Sequence, residues 1–196
     1  MKGAGQLVLI DKILPKYQIK SQETLKDIFL VLSFSFLTAL CAKLKLEIGA
    51  VPITMQTFAV LLSGAFLGAK RGALSQLIYL FGGLLGIPWF SRGGGVGYIM
   101  SPTFGYIIGF VFSAYLVGFL CERGFDRNIK TAILAMILGN ILIYIFGALW
   151  LLKFMAPSKV LLTGIYPFIF GDLLKILLAG ILLPTLWKII KRSDIQ

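Results

Sequence analysis

Apolar runs of nearly membrane-spanning length recur along the whole chain with only short polar breaks, and no other feature of the sequence limits its fold so strongly. A hydrocarbon layer about 30 Å thick asks for about 20 apolar residues in a helix. Six stretches approach that length: 27–44, 51–69, 73–90, 101–120, 131–152 and 166–187. Between them stand residues that end helices. Lys43, Lys45 and Glu47, then Pro52, part the first from the second, and Lys70, Arg71 and Gly72 part the second from the third. Pro102 precedes the fourth, Lys130 and Lys153 bracket the fifth, Pro167 opens the sixth, and Pro184 is expected to bend its last turns. Composition excludes a soluble alternative, because only 14% of the residues are charged and mean hydropathy is +0.92, against about 25% charged in soluble domains. The expected architecture is an all-α integral membrane protein of six transmembrane helices. Its membrane domain spans 27–188, between an N-terminal segment, 1–26, and a C-terminal tail, 189–196.

The net charge of +11 suggests nucleic acid only until the basic residues are placed. They sit between the apolar runs, where loops beside a membrane collect Lys and Arg. With the N-terminus taken as cytoplasmic, 13 of them fall inside and five outside, and Lys175 falls within a span. That bias predicts cytoplasmic N- and C-termini, a plasma-membrane location, the lipid bilayer as the chain's surroundings, and no nucleic-acid partner. Residues 1–26 carry five lysines and no early apolar core, so no cleavable signal peptide is expected. Two cysteines, Cys41 and Cys121, and no histidine make redox and metal chemistry poor fits, and no cofactor is expected.

Small residues recur at four-residue spacing: Ser35 with Ala39, Gly64 with Gly68 and Gly72, Gly82 with Gly86, and Gly105 with Gly109 and Ser113. Such stripes let helices approach closely in lipid. Packing within the chain is the default reading, and docking of another membrane subunit on Ser35 and Ala39 is a second one.

The polar residues gather towards the outer mouth. Asp172 and Lys175, three apart on one face of the sixth span, each cost about 2.5–3.5 kcal/mol to insert on translocon scales. They read either as a buried ion pair that locks the bundle or as ligand-binding groups, the acid accepting N–H donors and the ammonium holding a carbonyl or carboxylate. The run Ser91-Arg92-Gly93-Gly94-Gly95-Val96-Gly97-Tyr98 lacks the Lys-Ser/Thr of a phosphate-binding loop. It reads as a connector or as a lid in which Arg92, Gly95 and Tyr98 face a ligand. Pro52, Thr54, Gln56 and Thr57 open the second span, Asn140 lies near the middle of the fifth, and Tyr79 joins Trp89, Phe90, Tyr98 and Tyr106 as aromatics able to wall a cavity. Neither a nucleophile with its base nor an ATP-binding motif is present, so an enzyme is disfavoured and any energy source must lie on other chains.

The segments VPITMQTFAVLLSGAFLGAKRGALSQLIYLFGGLLGIPWF and GGGVGYIMSPTFGYIIGF resemble the BioY biotin-transport family. Pro52, Thr54, Gln56 and Thr57 match its P-x-T-x-Q-T signature, and Gly86 with Pro88 its G-x-P break. Pro102, Thr103, Gly105, Tyr106 and Gly109 match P-T-x-G-Y-x-x-G, and Asp172 with Lys175 match the charged pair of the last helix. The resemblance covers residues 30–188. It implies the substrate-binding S-component of an energy-coupling-factor transporter, with biotin as ligand and a transmembrane coupling protein and two cytoplasmic ATPase subunits as partners. It also implies docking through an alanine-x-x-x-alanine motif on the first helix, for which Ser35 and Ala39 are the nearest match. An S-component for another small vitamin and a proton-coupled carrier relaying through Asp172 are the alternatives.

Overall fold

The computed structural model describes residues 8–14, 20–47 and 50–193. Of the tail lysines, Lys2 and Lys16 lie outside them, as do residues 194–196. The fold is almost wholly helical: α1 Leu9–Ile13, α2 Lys20–Lys43, α3 Gln56–Leu67, α4 Ala69–Leu84, α5 Phe104–Cys121, α6 Ile129–Leu151, α7 Pro157–Gly164 and α8 Tyr166–Ser193. A two-residue antiparallel ladder, β1 Lys45–Leu46 with β2 Ile53–Thr54, links α2 to α3.

Among the described residues, four stretches are long and apolar enough to cross a membrane: Ser21–Lys43, Phe104–Cys121, Ile129–Leu151 and Pro157–Lys191. The second and third predicted spans are shorter than expected. Residues 51–55 turn into the ladder, which delays α3 to Gln56, and Gly68, at φ +82, separates α3 from α4. At 12 and 16 residues and 1.5 Å per residue, these helices reach about 18 and 24 Å. Two further differences concern the ends of the spans. The segment 153–166, read as an outer loop, holds α7, which starts on Pro157, the position a helix tolerates best. The segment 1–26 already contains α1 and the first turns of α2, and α8 runs on through Pro184.

The helices touch where their side chains vanish. A Cβ on Gly64 would lie 2.4 Å from the Ala114 carbonyl oxygen, and one on Gly118 would lie 2.3 Å from the Ala69 nitrogen. One on Gly72 would lie 2.8 Å from the Gly64 Cα, so α3, α4 and α5 meet almost backbone to backbone. In lipid this dispersion contact replaces the hydrophobic drive between helices. The outward faces are apolar in turn, as Phe29, Phe36 and Phe170 show.

Ser35 and Ala39 are 1% and 5% exposed, and the Ser35 hydroxyl donates to the carbonyls of Val31 and Ser75. The small stripe of α2 is thus occupied inside the bundle against α4. Docking of a partner on these two residues, the second reading of the stripe, would require α2 to part from α4.

At the other end Arg71 fastens α1, donating from both terminal nitrogens to Asp11 at 2.9 and 2.7 Å, and also to Asp27 at 2.8 Å. The Trp187 indole of α8 donates to the buried Asp126 carboxylate in the α5–α6 connection.

Candidate binding site

The ladder brings the Thr54 carbonyl and the first turn of α3 to the flank of α8. Asp172 and Lys175 stand there, 3% and 6% exposed. Lys175 Nζ donates to Asp172 Oδ1 at 2.8 Å, to the Thr54 carbonyl at 2.6 Å and to Thr57 Oγ1 at 3.0 Å, which uses all three ammonium protons. Asp172 Oδ1 also accepts from the Thr57 hydroxyl at 3.0 Å, and Oδ2 accepts from Tyr144 at 2.7 Å and Asn140 Nδ2 at 3.2 Å. The charges are therefore compensated by groups from α3, α6, α8 and β2, as burial of an ion pair demands.

Beside this network lies a partly open cavity walled by Ile107, Phe110, Ile143, Tyr144 and Phe168 and roofed by Ser91, Tyr98 and Thr103. Its space for water centres is about 50 Å³, enough for a few waters at about 10–15 Å³ each. An organic ligand enters only if the wall or roof moves.

The roof is the glycine-rich stretch. Gly93 and Gly95, at φ +116 and +102, occupy conformations that side chains resist, and the Gly95 amide donates to the Gly83 carbonyl at 2.7 Å. Phe90 packs on Tyr98 with ring centres 4.5 Å apart, and the Tyr98 hydroxyl accepts from Thr103 at 2.9 Å. Two clasps join this roof to the end of α2. Lys43 Nζ donates to the carbonyls of Pro88 and Phe90 at 2.6 and 2.8 Å. Arg92 meets Glu47 at 2.6 Å and the Ala50 carbonyl at 3.1 Å. Glu47 also receives Lys45, and these partners, Arg92 first, hold its carboxyl down at about 2.

Residues matching the BioY resemblance thus converge on one cavity, and a comparison of whole chains agrees with them. The BioY family matches residues 16–192. The chain belongs to the BioY family. A probable biotin transporter BioY of Lysinibacillus sphaericus is 36% identical over 183 residues, 89% of this chain and 93% of that one. One of Pyrococcus horikoshii is 40% identical over 151 residues, 76% and 89%. A crystal structure of the S-component for biotin from an ECF-type ABC transporter superposes with a TM-score of 0.78 at 26% identity, covering 87% of this chain and 95% of that one.

Of the residues singled out in the sequence, Asp172, Lys175, Gln56 and Tyr98 line the cavity. Tyr79 stands behind Gln56, receiving its amide at 2.8 Å and passing a hydrogen bond to the Trp89 carbonyl. Asn140 stands behind Asp172, Gly95 lies in the roof, and Arg92 is at the outer rim, engaged with Glu47. Sequence reasoning missed Tyr144, although its i+4 spacing from Asn140 puts both on one face of α6. It also missed Phe168, the clasp residues Lys43 and Glu47, and the bond by which the Tyr106 hydroxyl holds the end of α7 at the Gly164 carbonyl.

Proposed function

We propose that this chain captures biotin at the outer face of the plasma membrane as the substrate-binding subunit of an ATP-driven energy-coupling-factor transporter. In this reading all six apolar helices cross the bilayer and both termini are cytoplasmic. A transmembrane coupling protein and two ATPase subunits, on separate chains, supply the work. The names of the relatives and of the solved neighbour support the ligand, and the 13-to-5 distribution of basic residues supports the orientation.

The buried Asp172–Lys175 pair in the wall of a roofed cavity carries this reading. Biotin offers a cyclic urea with two N–H donors and a carbonyl, an apolar ring and chain, and a carboxylate. Asp172 accepts a urea N–H, Lys175 exchanges a protein carbonyl for the urea carbonyl, and Phe110, Ile143 and Phe168 face the apolar ring. Gln56, Tyr98 and Gly95 close the mouth, and Arg92 is placed at the rim for the carboxylate. Purified, detergent-solubilised chain is expected to bind radiolabelled biotin and to release it to unlabelled biotin but not to other vitamins. A folded chain that binds none overturns the proposal, and displacement by a different vitamin reassigns the site.

The clasps make the roof the slow step of release. Lys43→Met removes two hydrogen bonds, each of about 1 kcal/mol, and is expected to speed biotin dissociation about tenfold in a chase with unlabelled ligand. Association should change little. Glu47 adds a pH signature. Its carboxyl is held at about 2 while clasped and returns towards its ordinary 4.5 when the roof lifts. The clasp is therefore complete above about pH 4.5 and fades as pH falls towards 2. Dissociation should be flat above pH 5, quicken below 4.5, and lose that rise in Glu47→Gln.

A further inference from the structure

The central cavity has a neighbour. Between α6 and α8 a groove of about 160 Å³ opens on the flank of the bundle, with Ile137, Ile141 and Leu173 as walls and Asn140, Tyr144 and Asp172 at its floor. Tyr144 and Asp172 line both spaces, so their hydrogen bond is the partition between them.

The Asn140 amide can stand only one way round. The Asp172 carboxylate accepts and does not donate, so the nitrogen must face it, at 3.2 Å, and the oxygen must face elsewhere. Asn140 is 5% exposed, its Oδ1 is buried, and among the described residues nothing donates to that oxygen. Within a bilayer no bulk water supplies the missing proton. Buried acceptors left open are rare and call for a partner.

Both oxygens of Asp172 already receive two hydrogen bonds each. One urea N–H can take the place of Tyr144, whose hydroxyl is free to rotate. The second N–H needs another acceptor, and the Asn140 oxygen is the one beside Asp172 that is not in use. The two amide atoms of Asn140 are about 2.2 Å apart by standard bond lengths, which keeps Oδ1 within about 5.5 Å of Asp172 Oδ2. The two nitrogens of a cyclic urea are likewise about 2.2 Å apart, with N–H bonds that diverge, and so can meet two acceptors at that separation.

We propose that Asn140 Oδ1 receives one ring N–H of the ligand while Asp172 receives the other. Tyr144 gives way as the ligand arrives and merges the groove with the cavity. Asn140 is then the residue that selects a cyclic urea over rings with a single N–H. This inference rests on the biotin reading and deepens it.

The test pairs the protein with two cyclic carbamates in which one or the other ring N–H of biotin is replaced by oxygen. Displacement of radiolabelled biotin from the solubilised wild type is expected to show both carbamates weaker by tenfold or more, since each places a lone pair against a buried acceptor. Asn140→Leu is expected to weaken biotin tenfold to a hundredfold and to abolish the penalty of one carbamate while leaving that of the other. Should Asn140→Leu fail to fold, Asn140→Thr keeps a donor for Asp172 and still shifts the preference between the two carbamates. Either carbamate binding wild type within twofold of biotin overturns the inference. So does a folded Asn140→Leu that binds biotin as wild type does. If that variant is neutral while Asp172→Asn loses biotin, the inference fails and the biotin site stands; if wild type binds no biotin, both fail.

Discussion

Asp172→Asn is expected to lower biotin affinity more than a hundredfold and to lower the melting temperature of the solubilised chain by roughly 10 °C. The two losses have different origins. Removing one member of a buried pair leaves the other charge uncompensated, at a cost of about 3–5 kcal/mol, and each kcal/mol moves Tm by about 2–4 °C in a chain of this size. Lys175→Met should destabilise similarly, because Asp172 loses its counter-charge and the Thr54 carbonyl its side-chain donor. The double variant Asp172→Asn/Lys175→Met separates the effects. With no charge left to compensate, it is expected to recover most of the lost Tm, yet to bind no biotin, because the carboxylate that accepts the N–H is gone. Thermal unfolding and radiolabelled-ligand binding on the same preparations read both. A double variant that regains binding along with stability would reduce the pair to a lock for the bundle.

That ambiguity between lock and ligand was visible in the sequence, and the structure shows why it arises: the pair ties α8 to its neighbours and also lines the cavity. Asp172 and Lys175 were legible because charge inside an apolar span has few explanations. Gln56 and Tyr98 were legible through their positions at span ends beside proline and glycine. Tyr144 was not, because a tyrosine in a hydrophobic helix looks like any packing aromatic until the helix facing it is known. The clasp of Lys43, Glu47 and Arg92 joins residues 45 and more positions apart across loops, and nothing local encodes that pairing. The rim arginine therefore read as a ligand group without the Glu47 that engages it in the structure. Small-residue stripes announce close approach but not the neighbour approached. For Ser35 the neighbour is α4, through a hydroxyl-to-carbonyl bond of 2.7 Å. Helix lengths were overread at α3 and α4 because hydropathy cannot see the backbone leave the helix at 51–55 and at Gly68.

Gly118→Val is expected to prevent folding or to lower Tm by more than 10 °C, with no chemistry at the binding site altered. The added Cβ would lie 2.3 Å from the nitrogen of Ala69 and from the carbonyl carbon of Gly68. These are backbone atoms at the start of α4, which cannot swing aside as a side chain can. Overpacking against mobile side chains costs about 1–3 kcal/mol, so forcing two helix backbones apart should exceed that range. The shift also propagates. Parting α5 from the α3–α4 junction opens the contact of Gly64 with the Ala114 carbonyl. It also moves the wall residues Ile107 and Phe110 away from Gln56 and Thr57 at the far end of α3. Gly171→Ala is the matched control, since a Cβ there meets nothing within 4 Å and the helix gains by up to about 1 kcal/mol from the better propensity. It lies next to Asp172, yet it should raise Tm slightly and leave biotin binding intact. Should Gly118→Val instead melt like wild type, the close backbone contact of α3, α4 and α5 would not be what holds the bundle together.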